Sequence, residues 1–183
     1  MTIVVRAATG EADLDEVRRL IREFVGWHRE RNVADIDLVD AYFDEAFERE
    51  LRELPGEYAP PAGELLLAWD GEEAVGCVAS RRLDDDSCEM KRMFVSADAQ
   101  GRGAGRALAV ELIARATARG YRWMYLDTSR RQREAIALYR SLGFLPRDPD
   151  PELAPRLKAW LAFFRLELSG ETEAASGGAP RRR

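Results

Sequence analysis

Histidine occurs once in the 183 residues and cysteine twice, too few ligands for a Cys/His metal site. Cys77 and Cys88 each sit in an apolar, strand-like stretch. They read as buried thiols in a reducing cytoplasm, which excludes a disulfide framework. No positively charged start leads into an apolar run, and no stretch reaches the ~20 apolar residues of a membrane helix. The expectation is therefore a cytoplasmic protein with no membrane partner. The net charge is only -5, with arginines and acids interspersed, so nothing marks a nucleic-acid surface.

What is present suits one ordinary folded domain. Hydrophobic residues make up 46% and charged residues 33%, enough for a core without disulfide or metal support. From Ser169 the chain turns Ser/Gly/Ala-rich and ends in three arginines. The division expected is one domain over residues 1–168 and a disordered tail over 169–183.

Residues 2–7 read as a short strand, and Thr9 to Asp13 supply a helix start. Leu14, Val17, Leu20, Ile21, Phe24 and Val25 then recur at helical spacing. Trp27 to Asp37 is polar and mixed, and residues 38–54 repeat the helical pattern with Tyr42, Phe43 and Phe47. Pro55-Gly56 stops that second helix. Residues 65–69, the turn Asp70-Gly71, residues 74–81 and residues 88–95 predict an antiparallel meander. After it come a helix over 104–118 closed by Gly120, a strand over 123–126, a helix over 134–142 and a final strand over 161–168.

The junction of meander and helix carries the chemistry. Met93-Phe94-Val95 leads to Gln100-Gly101-Arg102-Gly103-Ala104-Gly105-Arg106-Ala107. A strand enters a loop whose glycines let backbone N–H groups turn inward, and a helix starts at once. Unpaired amides and the positive end of a helix dipole then converge on one point, a site for a pyrophosphate or similar anion. Arg102 and Arg106 add charge at its rim. A Walker loop is excluded because no Gly-Lys-Ser/Thr follows. A dinucleotide-binding fold is disfavoured because an antiparallel meander precedes the turn.

Gln100-x-x-Gly103-x-Gly105 resembles the coenzyme A pyrophosphate motif of the GCN5-related N-acetyltransferase (GNAT) superfamily. Residues 89–95 resemble that family's fourth strand, and residues 135–144 its Ala-x-x-Leu-Tyr-x-x-x-Gly-Phe segment. Residues 54–67 are similar to a bacterial subgroup whose substrates are mostly unassigned. The resemblance implies an α/β GNAT fold: a mixed, mostly antiparallel sheet, flanked by helices, with a V-shaped split between strands 4 and 5. It implies acetyl-CoA as acyl donor, with no metal, and often a homodimer.

It also implies roles. Backbone groups of Met93, Phe94 and Val95 would pair with the pantetheine arm, one N–H polarising the thioester carbonyl. Amides of residues 102–107 would hold the pyrophosphate, with Gln100 and Gly101 in the same loop. Gln132 stands where many members carry an Asn that contacts the arm. Tyr139 corresponds to the tyrosine that protonates the departing thiolate. Glu89, eleven residues before Gln100, matches the general-base glutamate of the histone-modifying members, and simple alternation places Glu89, Lys91, Met93 and Val95 on one face.

A glutamate near pKa 4.3 and an amine near 10.4 differ by about six pH units, or about 8 kcal/mol. Direct proton removal by Glu89 therefore requires burial or a water relay, and ion pairing with Lys91 is its alternative role. Asp127-Thr128-Ser129 sits where acceptors bind in this fold. His28, Trp27, Tyr42, Phe43 and Phe47 read first as packing residues. With no placed nucleophilic Cys, the expected reaction is direct attack by a primary amine on acetyl-CoA in a ternary complex. A small-molecule acceptor is favoured over a protein lysine or N-terminus, and over a non-catalytic acyl-CoA sensor.

Overall fold

The computed structural model describes residues 2–168. The expected disordered tail, with its arginines, lies outside the described residues. Seven strands form one sheet in the order β1-β2-β3-β4-β5-β7-β6. The strands β1 (Ile3–Ala7), β2 (Glu64–Asp70), β3 (Glu73–Arg82) and β4 (Ser87–Val95) pair antiparallel in succession. On the far side β5 (Trp123–Ser129) pairs antiparallel along its whole length with β7 (Leu161–Glu167). A two-residue edge strand, β6 (Leu145–Pro146), completes the sheet.

The centre of the sheet is where pairing fails. β4 and β5 run parallel, and only Ser87, Cys88 and Glu89 pair with Trp123, Met124 and Tyr125. Beyond those three pairs the strands separate, which is the V-shaped split expected of the fold.

Helices cover both faces. One core gathers α1 (Gly10–Arg31), α2 (Ile36–Tyr42) and α3 (Glu45–Arg52) against Leu65, Leu67, Cys77, Ala79 and Phe94. The other gathers α4 (Ala104–Ala118) and α5 (Arg133–Ser141) against Leu66, Val78, Met90, Met124 and Leu126. Alternate residues of the central strands serve opposite cores, as period-two geometry requires. A buried carboxylate, Glu64, ties β2 to α4 through Arg115 and Arg119.

Several boundaries differ from the sequence expectation. α1 continues through Trp27 and His28 to Arg31, because His28 is buried and so belongs to the packed face. Residues 38–54 form two helices, not one. Phe43 leaves helical geometry, and Asp44 Oδ1 restarts the chain by accepting from the amides of Ala46 (2.9 Å) and Phe47 (3.2 Å). β6 and the short α6 (Pro155–Trp160), which starts on proline, carry no periodic signal.

The face assignment along β4 is also corrected. Cys77 pairs with Phe94 but Ala79 with Lys91, so Val78 faces two residues, and Arg92 adopts φ 55°. This β-bulge inserts one residue and inverts the alternation after Lys91. Met93 and Val95 consequently pack in the α4/α5 core, whereas Glu89 and Lys91 share the opposite face with Arg92 and Phe94.

The bulge is held by charge. Arg92 donates to both oxygens of Glu50 on α3, at 2.7 and 2.6 Å, and Tyr58 donates to the same carboxylate at 2.7 Å. Burial opposes ionisation of Glu50, but the Arg92 hydrogen bonds outweigh it and leave the carboxyl below its ordinary range. Side-chain exposures of 7% for Arg92 and 18% for Glu50 mean that losing one partner strands a buried charge. Glu50→Gln is expected to lower unfolding free energy by about 3 kcal/mol, measured by urea denaturation. An unchanged midpoint would show that the pair does not hold the bulge.

Candidate active site

The split is open to two cavities that meet inside the sheet. A cleft of about 530 Å³ runs between the end of β4, the loop before α4, and α5. A smaller inner cavity of about 50 Å³ lies between β4 and β5 on the α1/α2 side. Four residues, Phe24, Met93, Gln132 and Tyr139, line both. A third hollow of about 440 Å³ lies under α3 and shares Tyr42, Lys91 and Arg92 with the inner cavity.

The cradle takes the form its glycines require. Gly101 and Gly103 have φ of 77° and 87°, left-handed values that a side chain would strain, and Gly103 is the N-cap of α4. No side chain caps that helix. The first protein-paired amide inside it is that of Ala107, which donates to Gly103 O at 3.0 Å. The preceding amides and the dipole of a 15-residue helix thus converge on the cleft, a fit for the phosphates of a nucleotide thioester.

Of the residues expected to bind cofactor, all but Arg102 and Ala107 line this cleft. Arg102 is instead drawn to Asp70 at 3.1 Å, while Arg106 stays at the cleft and donates to Ser141 at 2.6 Å.

Tyr139 projects from α5 into the junction of the two cavities. Its ring packs on Phe144, centroid to centroid 5.7 Å, and its hydroxyl has no hydrogen-bond partner among the described residues. Burial, followed by the nearby Asp127 and Tyr42, pushes its pKa up, so the phenol keeps its proton at neutral pH.

Glu89 is placed differently from Tyr139. Its Oε2 accepts from Arg81 Nε at 2.7 Å and its Oε1 lies 3.6 Å from Lys91 Nζ. It is not among the residues lining any of these three cavities. The carboxylate that does face the inner cavity is Asp127, from the part of β5 beyond its pairing with β4. Burial, the largest influence, raises its pKa, against the opposing effects of Lys91 and of the hydrogen bond from Tyr42 at 3.2 Å.

Residues 18–144 match the Acetyltransferase (GNAT) family. An uncharacterized N-acetyltransferase of Schizosaccharomyces pombe is 32% identical over 149 residues, covering 80% of this chain and 85% of the relative. The chain belongs to the GNAT acetyltransferase family. That makes it an acyl-CoA-dependent N-acetyltransferase. A putative acyl-CoA N-acyltransferase from Klebsiella pneumoniae superposes with a TM-score of 0.66 at 25% identity, covering 92% of this chain and 97% of the other. The PaiA N-acetyltransferase from Thermoplasma acidophilum, solved in complex with coenzyme A, has the same fold at 16% identity. Its TM-score is 0.72, with 91% and 99% of the two chains covered.

Within the acetyltransferase, sequence reasoning undervalued His28. It lines the inner cavity and is buried to 4% exposure. Its Nε2 meets the amide nitrogen of Gln132, whose oxygen accepts from Thr128 Oγ1 at 2.6 Å. Gln132, in the position where the resemblance calls for Asn, is thereby fixed in the wall between the cavities by α1 and β5. Only the burial of His28 exposes this role, and helical periodicity alone gives no hint of it. Among the described residues no His/Cys/Asp/Glu cluster suits a metal ion, and no helix is long and apolar enough to cross a membrane.

Burial lowers the His28 pKa from 6.5 to about 4, so the folded protein holds it neutral. The unfolded chain takes up its proton first, so stability contributed by the neutral form is complete above 6.5 and lost as pH falls towards 4. Between about pH 7.5 and 5 this residue alone removes about 2 kcal/mol. His28→Gln is expected to lose that much less stability over the same range in urea titrations. Parallel pH slopes for the two proteins would contradict the assignment.

Proposed function

We propose that this acetyltransferase moves the acetyl group of acetyl-CoA to a primary amine on a small molecule, in a ternary complex, with Tyr139 as general acid. The observation that carries the reading is the Tyr139 hydroxyl, protonated and unpartnered, at the point where the donor cleft and the inner cavity meet. Acetyl-CoA supplies the thioester. The cradle from Gln100 to Arg106 binds its phosphates, and backbone groups of Met93, Phe94 and Val95, freed by the split, pair with its arm.

The neutral amine attacks the thioester carbon, the N–C bond forms and the C–S bond breaks. The surplus proton on nitrogen goes to a base or to water, the thiolate takes a proton from Tyr139, and solvent returns a proton to the phenolate before the next turnover. Glu89 has both oxygens engaged by cations, which supports a role in orienting Lys91. Asp127 is the carboxylate placed at the inner cavity, and its raised pKa suits proton acceptance.

A small acceptor is favoured over a protein by the size of the inner cavity, about 50 Å³, which α1 and α2 close over. The same reading sets the enzyme in a reducing cytoplasm, in keeping with two free, buried cysteines whose pKa values burial pushes up to about 12. A homodimer is carried over from the family resemblance.

Tyr139→Phe is expected to lower kcat by about 100-fold while leaving acetyl-CoA affinity within a few-fold. Thiol release against a panel of amines and calorimetry with acetyl-CoA measure the two quantities. A variant with unchanged kcat would remove Tyr139 from the chemistry.

A further inference from the structure

The inner cavity is lined by two half-buried, opposite charges that do not pair with each other. Lys91 reaches it from β4 and Asp127 from β5, across the split. They form no ion pair with each other among the described residues.

An ammonium has three N–H donors. Among the described residues Lys91 donates none of them within hydrogen-bond distance; its closest acid there, Glu89, is 3.6 Å away, and that carboxylate is already held by Arg81 at 2.7 Å. The Tyr42 ring lies 5.8 Å from Nζ. Although burial disfavours its charge, the proximity of Tyr42, Glu89 and Asp127 more than compensates, and Lys91 stays protonated. A carboxylate accepts about four hydrogen bonds. Asp127 receives one, from the Tyr42 hydroxyl.

The other cations near this position are committed. Arg92 is bound along one edge of its guanidinium, through Nε and Nη2, by both oxygens of Glu50, and Arg81 is shared between Glu89 and Glu57. Charges in a partly shielded cavity whose hydrogen-bonding capacity the protein leaves unfilled favour a ligand that fills it. The cavity therefore offers one set of spare donors beside one set of spare acceptors.

A simple cationic amine matches only half of this. Its ammonium would satisfy Asp127 and be repelled by Lys91 close by. A molecule that brings an ammonium and a carboxylate together satisfies both and adds no net charge. The inner cavity has room for a compact polar head, and the hollow of about 440 Å³ that shares Tyr42 and Lys91 can take the remainder of the molecule.

We propose that the acceptor is a free amino acid or a similar amino-carboxylic acid, its amine facing Asp127 and its carboxylate bound by Lys91. The proposal rests on the acetyl-transfer reading above and names the substrate class of that site. Lys91 is then the specificity residue, and Glu89 positions it.

The test compares kcat/KM, from thiol release by the intact protein with saturating acetyl-CoA, for free amino acids, the same amino acids as carboxamides, and their decarboxylated amines. The free acids are expected to exceed both by about tenfold or more, the scale of a charge-assisted contact. Lys91→Met is expected to bring the ratio of acid to carboxamide close to one, and Lys91→Arg to restore most of it.

Carboxamides or amines turned over as well as the acids would overturn the proposal, as would a ratio untouched by Lys91→Met. Silence with every amino acid would overturn it too. Should Lys91→Met not fold, the wild-type ratios decide the question alone. Calorimetry with acetyl-CoA on the wild-type protein separates the two levels. Loss of donor binding sinks the acetyl-transfer reading, whereas retained binding with preferred carboxamides sinks only the acceptor class.

Discussion

Two neighbouring parallel strands that stop pairing after three residues create the site. From Met90 to Val95 and from Leu126 to Ser129 the facing edges of β4 and β5 have no partner strand in each other. Backbone N–H and C=O groups left in that condition require another source of hydrogen bonds. On the proposed reading, an extended ligand arm lying between them would supply one without any dedicated side chain. The split also exposes side chains that a continuous sheet would have sealed, Asp127 from β5 and Lys91 from β4 among them.

Keeping the strands apart demands rigidity elsewhere. On one side of the gap β5 is paired along its length with β7. On the other, the bulge at Arg92 is pinned to α3 by a two-point ion pair that also engages Tyr58. A positive φ at a non-glycine residue is costly, and it persists only where surrounding contacts over-determine it. The Glu50–Arg92 pair and the cation–π contact of Arg92 with Phe47, 4.8 Å to the ring centroid, supply those contacts. The bulge then sends Met93 and Val95 towards the α4/α5 core and Lys91 towards the inner cavity and the hollow under α3.

The parts of this arrangement legible in the sequence are those fixed locally. Residues 104–118 were bounded correctly because the glycine loop, the leucine spacing and Gly120 all act within the helix itself. The meander followed from turn residues and alternation in the same way. The bulge was not legible, since nothing in Lys91-Arg92-Met93 announces an inserted residue, and the strict alternation expected there failed for that reason. The break at Phe43-Asp44 was hidden because both halves continue one apolar rhythm. His28 and Gln132 meet across 104 positions, so their contact exists only once α1 lies against α5. Glu89 is instructive in another way. Its offset from Gln100 suggested a base, but the ion pairs that engage it come from β3 as well as from its own strand.

The sheet divides the molecule into two packed halves with different duties. The cradle, α4 and α5 belong to one core, and the hollow formed by residues 42–58 belongs to the other. On the proposed reading, donor handling falls mainly to the first of these cores, while acceptor choice is shared between the hollow and the charges of Lys91 and Asp127. Within residues 42–58, substitutions that spare Glu50 and Tyr58, which hold the bulge at Arg92, can alter the hollow without reaching the cradle. On that reading the shape of the hollow can drift within one short segment, while the half that handles the donor stays constant.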